Sequence, residues 1–194
     1  NIGQWDYPAL VALCEIENKN CLQDLTRRLL HAQYSFIHFD CEDKRGIDVS
    51  LLYRPQVFQI IDSVAIPTNL EDKSRDILYV SGITNSDDTL HIFVCHLPSM
   101  RGGKSTSDWK RTQFKRSIQT HIDHILIHHH HAHIIVMGDM NSDPANDLKG
   151  LHNCMIQFNK NNQGTYKYKG IWSCLDQFYI SSICHNLVHH ELCV

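Results

Sequence analysis

The sequence predicts an α+β fold in which two mixed β-sheets pack face to face with helices on the outside. Three observations predict it. Apolar runs of strand length recur along the chain, only two stretches carry a helical repeat, and no low-complexity linker or internal repeat divides it. The 194 residues suffice for one domain with a sizeable core, so residues 1–194 are expected to form a single domain.

The elements follow in order. Ala9 to Cys14 reads as a buried strand, and Asn18 to Leu30 as a helix with Leu22, Leu25 and Leu29 on one face. Ile47 to Tyr53 is a strand closed by Pro55, and Val57 to Ser63 returns as its hairpin neighbour. Ile77 to Ser81 and Leu90 to Cys95 are strands joined by the turn Thr84 to Thr89. A loop from His96 to about Thr106 precedes the longest helix, Asp108 to His130. Phe114, Ile118, Ile122, Ile125 and Leu126 form its apolar stripe. Ile134 to Met137 is all apolar, as expected of a strand buried on both faces, and Leu175 to Ser181 is the last clear strand.

Composition removes several classes of function. Hydrophobic residues at 42% and charged residues at 20% are ordinary for a globular chain, which excludes disorder and fibres. The net charge of -3 speaks against coating nucleic acid by bulk charge, but not against handling one phosphate locally. No run of eighteen apolar residues occurs, so no membrane span is expected. Residues 1–8 lack the pattern of a signal peptide, which leaves a cytoplasmic chain and one exported after losing its leader both open. The eight cysteines include no CxxC pair and are expected to be mostly buried free thiols. Among fifteen histidines, the dense stretch His128 to His131 with His133 ends a helical pattern and reads as a solvated helix end.

Four polar clusters sit at strand ends, where layered α/β folds carry their chemistry. Glu15 follows the first strand and suits a hard oxygen ligand for Mg²⁺ or Mn²⁺. Glu17, two residues on, would share its face, unless both cap the next helix. His96 ends its strand beside Pro98 and could move a proton or hold a phosphate oxygen. Asp139 and Asn141 follow Gly138 and pair a carboxylate with an amide, unless they merely form an Asx turn before Pro144. Asp176 opens an apolar strand, where an acid needs a partner to offset desolvation. Arg101, Lys104, Lys110, Arg111, Lys115 and Arg116 gather basic charge after His96, against the single acid Asp108. The run Tyr166 to Lys169 interleaves aromatic and basic residues near Trp172, a surface that could stack a base.

The order of these pieces resembles the endonuclease/exonuclease/phosphatase superfamily along essentially the whole chain. The resemblance rests on ALCEIEN, RGIDVSLLYRP, RDILYVSG, FVCHLPS, IIVMGDMNSDP and WSCLDQFYIS, and its most specific piece is GDMN after an apolar strand. It implies a deoxyribonuclease-I-like α/β/β/α sandwich and a metal-dependent hydrolase of phosphate esters. A phosphodiesterase on DNA or RNA comes first. Hydrolysis of inositol phosphates or sphingolipids, and a binding protein that keeps the fold without activity, are the alternatives. The resemblance assigns the metal, Mg²⁺ or Mn²⁺, to Glu15, and catalysis to His96, Asp139, Asn141 and Asp176. Asp48 is its acidic support for His96, and Asp48, Arg101, Arg111 and Trp172 are the expected substrate contacts. No cysteine is expected near the site, and the protein is expected to be a monomer. Two family features are not found between Asn1 and Val194: an asparagine on an opening strand, and a closing Ser-Asp-His-x-Pro. Both flanks of a larger domain are therefore expected outside this chain, with Asp176 waiting to orient a histidine that it lacks.

Overall fold

The computed structural model describes residues 7–29, 33–41, 45–68, 75–99, 104–161 and 163–185. In chain order the elements are β1 (Leu10–Ile16), α1 (Lys19–Asp24) running on into a π-helical turn (Leu25–Leu29), β2 (Ser35–His38), β3 (Asp48–Tyr53), β4 (Phe58–Ile66), β5 (Ile77–Thr84), β6 (Thr89–His96), α2 (Lys104–His128), β7 (His133–Asp139), β8 (Leu151–Asn153), α3 (Ile156–Lys160), β9 (Tyr166–Tyr168), β10 (Ile171–Ser173), β11 (Asp176–Ser181) and α4 (Ser182–His185). A small sheet has the order β1-β3-β2 and is antiparallel. A large sheet has the order β4-β5-β6-β7-β11-β8. It is antiparallel except between β6 and β7, whose parallel pairing needs a crossover, and α2 supplies it.

Strand alternation builds the layers. On β6, Ile92 and Val94 face the small sheet and meet Val49, Leu51, Leu78 and Val80, all buried. Phe93 and Cys95 face the other way, onto Phe114, Ile118 and Ile122 of α2. The stripe read from the sequence is therefore the face that α2 buries. Outside the small sheet, Leu22 of α1 packs on Leu52 and Tyr34. The result is the four-layer α/β/β/α sandwich, and among the described residues no helix is long and apolar enough to cross a membrane.

Some boundaries differ from the sequence reading. The long helix starts at Lys104 rather than Asp108 and ends at His128 rather than His130. Arg111 donates to the Pro98 carbonyl at 2.9 Å, which ties the early turns to the loop after β6 and carries helix into the predicted loop. The regular part of the first helix stops at Asp24, because the Thr26 hydroxyl donates back to the Leu22 carbonyl at 2.9 Å and the turns widen. Strands β2, β8, β9 and β10 span three or four residues each, too short for a periodic signal. Cys95, Cys154, Cys174 and Cys184 are buried free thiols as expected, whereas Cys21 is exposed, and Cys193 lies outside the described residues.

Gly138 fixes the spacing of the parallel pair. It lies opposite Cys95 with φ 134°, and a Cβ there would stand 1.9 Å from the Cys95 carbonyl oxygen. Both the close approach and the positive φ require glycine. Gly138→Ala is expected to cost about 2–4 kcal/mol, since strain and a backbone clash combine. Urea unfolding would measure it, and a parent-like midpoint would show that β6 and β7 do not need this approach.

Candidate active site

Three of the candidate residues stand side by side. His96 pairs with Asp139 across β6 and β7, and Asp139 pairs with Asp176 across β7 and β11. All three share the face of their strands that looks toward the small sheet, with Val94, Met137 and Phe178 behind them. The row sits where the sandwich opens, at the last residues of β6 and β7 and the first of β11. Two carboxylates directly opposite each other repel. Asp139 shows it: its carboxyl is held above the usual carboxylate range, first by burial, then by Asp176 and Glu15, against lowering by the Asn141 amide and Arg75.

The backbone beyond Asp139 is tightly fastened. Asn141 donates its N–H to Asp139 Oδ1 at 2.8 Å, so the Asx turn weighed as the plain alternative does form. The same turn places Asn141 at φ 49°, with its Nδ2 donating to the Leu97 carbonyl at 2.9 Å. Met140 N–H reaches the Leu175 carbonyl at 2.8 Å, and Met140 is fully buried. Turn and site are thus one structure, and the second Nδ2 hydrogen of Asn141 is left for another acceptor.

His96 is 4% exposed. Arg75 Nη1 donates to His96 Nδ1, and an arginine can only donate, so the ring proton resides on Nε2. Nε2 faces Asp139 Oδ2 at 3.5 Å. His96 Nε2 is therefore aimed at Asp139. Arg75 was not singled out from the sequence, although RDILYVSG was quoted for the resemblance. It is 2% exposed and lowers the Asp139 carboxyl, with Nη2 donating to the Leu97 carbonyl at 3.4 Å. The available signal was an arginine directly before a buried strand, where a fixed charge needs a partner.

Glu15 comes from the opposite sheet. Along β1, Leu10, Ala12 and Cys14 face the large sheet, while Val11 and Leu13 face α1. Plain alternation would send Glu15 toward α1. Instead the register shifts between Leu13 and Ile16, Glu15 takes φ 61°, and Ile16 joins the α1 side. This bulge frees Glu15 from alternation and lets its carboxylate act on Asp139. It also breaks the expected shared face with Glu17. Helix capping falls to neither acid, because the Asn18 side chain accepts from the Asn20 and Cys21 amides at 2.9 and 3.2 Å. Cys14 and Cys95 do lie beside the site, contrary to expectation, with Cys14 Sγ 3.6 Å from the Cys95 carbonyl oxygen. Burial pushes the Cys14 thiol up to about 11 and Cys95 further in the same direction, so both remain inert neutral thiols.

The donor chemistry fits Mg²⁺ or Mn²⁺. Glu15 is an exposed carboxylate in the field of Asp139, which feels Asp176 in turn, and hard oxygen donors with surplus negative charge suit such ions. The other candidates fall elsewhere. Asp48 does not support His96: its Oδ2 lies 3.1 Å from His38 Nε2, and its Oδ1 accepts from Cys41 N–H at 3.1 Å. The small sheet pairs Asp48 with Ile16, and its carboxylate lies with His38 and Asp40 away from His96. Arg111 is 5% exposed and clamps Pro98 and Asp108, which makes it a fastening for the loop after His96. Arg101 lies outside the described residues. Trp172 is exposed under Lys167 Nζ at 5.0 Å, and shares a groove of about 280 Å³ with Thr165. Thr165 Oγ1 accepts from Asp176 N–H at 3.0 Å, so this groove adjoins the row. Asp176 is exposed, which removes the expected desolvation cost, and among the described residues no histidine partners its carboxylate.

Comparison with known proteins agrees with this architecture. The sequence profile of the Endonuclease/Exonuclease/phosphatase family matches residues 1–192. No curated protein sequence matches the chain. Among solved structures, truncated Caenorhabditis elegans TDP2 superposes with a TM-score of 0.70 at 14% identity, over 90% of this chain and 71% of that one. D. rerio TDP2 complexed with single strand DNA product gives 0.65 at 19% identity, over 90% and 71%. The Bacteroides thetaiotaomicron mannosyl-6-phosphatase Bt3783 gives 0.63 at 16% identity, over 90% and 71%.

The raised Asp139 carboxyl has a consequence for stability. A carboxyl that binds its proton more tightly folded than unfolded stabilises the fold below its unfolded pKa. That contribution is lost as pH rises through the folded value, so ionised Asp139 costs stability at neutral pH. Asp139→Asn is expected to stabilise the protein by about 0.5–2 kcal/mol at pH 7. The gain should fade as pH falls through the folded pKa toward the ordinary aspartate range. Denaturant unfolding at several pH values would check it, and a destabilised variant at pH 7 would contradict the charge strain assigned to the row.

Proposed function

We propose that this chain, which belongs to the endonuclease/exonuclease/phosphatase family, hydrolyses phosphate esters with the help of a divalent metal, acting first as a phosphodiesterase on nucleic acid. The observation that carries this reading is the row His96, Asp139 and Asp176 on adjacent strands, with Asn141 two residues beyond the end of β7. Asp139 would orient the attacking water and take its proton. Burial and the facing Asp176 raise its proton affinity, which moves a carboxylate toward the range useful for a base near neutral pH. His96 would hold Asp139 through Nε2–H while Arg75 fixes the tautomer. Asn141 would donate its second amide hydrogen to a non-bridging phosphate oxygen. Glu15 would hold Mg²⁺ or Mn²⁺, which when bound stabilises charge on phosphoryl oxygens.

Trp172 would stack a base or sugar beside Asp176, with Lys167 near the phosphate. The similarity to D. rerio TDP2 complexed with single strand DNA product supports a nucleic acid substrate. A phosphomonoesterase acting on a sugar phosphate is the second reading, supported by the name of the mannosyl-6-phosphatase.

An assay of the full-length protein with Mg²⁺ or Mn²⁺ on plasmid DNA, an abasic-site duplex, an inositol polyphosphate and a generic phosphodiester would rank these substrates. Chelation is expected to abolish the best activity. Asp139→Asn should lower its turnover ~10²–10³-fold with an unchanged circular dichroism spectrum. Parent-like turnover of that variant would move the water-activating role elsewhere. No activity on any member of the panel would favour a binding protein that keeps the fold.

A further inference from the structure

The opposite end of β6 and β7 carries a feature that phosphate chemistry does not use. A groove of about 460 Å³ opens there, lined by His91, His129, His130, His131, His133 and Asp88, among others. These residues come from two segments of the chain, 88–91 at the start of β6 and 129–133 between the end of α2 and the start of β7. Tertiary structure therefore collects them. A histidine run at a helix end would give the adjacent three, but not His91 or Asp88.

Two of the imidazoles are already oriented. His91 is 9% exposed, and its Nδ1 lies 2.8 Å from the Tyr79 hydroxyl, which leaves Nε2 as the nitrogen for the groove. A hydrogen bond on one ring nitrogen is the usual way a protein aims the other at a metal. His133 repeats the pattern, with Nδ1 3.6 Å from Cys184 Sγ and Nε2 3.6 Å from Asp88 Oδ1. That second separation is long for a hydrogen bond. It is close to the roughly 3.3 Å between two ligand atoms on a tetrahedral ion with bonds of about 2.0–2.1 Å. The His129 ring lies 6.4 Å from His91 on an exposed turn. No three of His91, His129, His133 and Asp88 bring their ligand atoms within 4.8 Å of one another, so binding requires side chains of this turn to rotate inward. His91 is held below its ordinary pKa, first by burial and then by His129 and His133, which places the three rings in one another's field.

We propose that this groove binds one late first-row transition-metal ion of the zinc class, through His91, His129, His133 and the Asp88 carboxylate. Imidazole with one carboxylate suits Zn²⁺, Ni²⁺ or Cu²⁺ and not Mg²⁺. The ion would pin the end of α2 to the start of β6 and β7. His91 and His96 are five residues apart on one strand, so about 17 Å separates this site from the catalytic row. The site stands apart from the hydrolase reading, and a different metal class would serve each end.

The test is a Zn²⁺ titration of the protein by calorimetry with Mg²⁺ in excess, beside His129→Ala, His133→Asn and Asp88→Asn. His124→Ala/His128→Ala is the control, because those rings touch at 5.0 Å on the exposed helix face, outside the groove. One equivalent is expected to bind the parent, and each groove variant should bind at least ~10-fold more weakly. The control pair and Asp139→Asn should bind like the parent. His129→Ala changes an exposed turn residue and so separates lost ligation from lost folding. Zinc binding that survives His129→Ala and His133→Asn, that disappears in the control pair or in Asp139→Asn, or that is weaker than millimolar in the parent would overturn the proposal.

Discussion

The parallel pairing of β6 with β7 is the constraint on which the rest depends. Its register puts His96 beside Asp139 at one end and brings the starts of both strands together at the other. The pairing is close because Gly138 lets the Cys95 carbonyl approach where no side chain would fit. It requires a crossover, and α2 buries Phe114, Ile118 and Ile122 against the outer face of the same strands. Core packing and site geometry are therefore the same contacts. A change that loosened β6 from β7 would separate the histidine from its carboxylate before it unfolded the sheet.

Charge is the second theme. The Glu15 and Asp176 carboxylates both raise the Asp139 carboxyl where the sandwich opens. Apolar packing cannot offset that repulsion, and Arg75 answers only part of it from the interior, through His96. A site with surplus negative charge is poised for a cation and disfavoured without one. The neutral thiols of Cys14 and Cys95 add no competing soft ligand, since burial keeps both protonated.

Helix–strand packing also explains why the two ends of this strand pair differ in chemistry. Where β6 and β7 finish, hard oxygen donors gather on the face between the sheets. Where they begin, imidazoles gather around the turn that returns the chain from α2. Both sets rest on a buried apolar middle of Ile92, Phe93, Val94, Ile134 and Val136. That rigid middle separates the two polar ends of this strand pair.

The sequence by itself determined the layers. Alternation in β3 and β6, the wholly apolar centre of β7 and the stripe of α2 state which face of each element is buried, because burial follows local periodicity. The candidates His96, Asp139 and Asp176 were legible for a related reason: a polar residue at the end of an apolar run lies where its strand leaves the sheet, whatever the strand order. What only tertiary structure decided is which residues share a neighbourhood. The Glu15 bulge, the pairing of Asp48 with His38 and the Arg75–His96 contact depend on non-local register and on a break in alternation. Local pattern carries no information on either, since a one-residue shift reverses the face of every side chain that follows. Arg111 is the same lesson on a helix: its charge was visible in the sequence, but the Pro98 carbonyl that captures it was not.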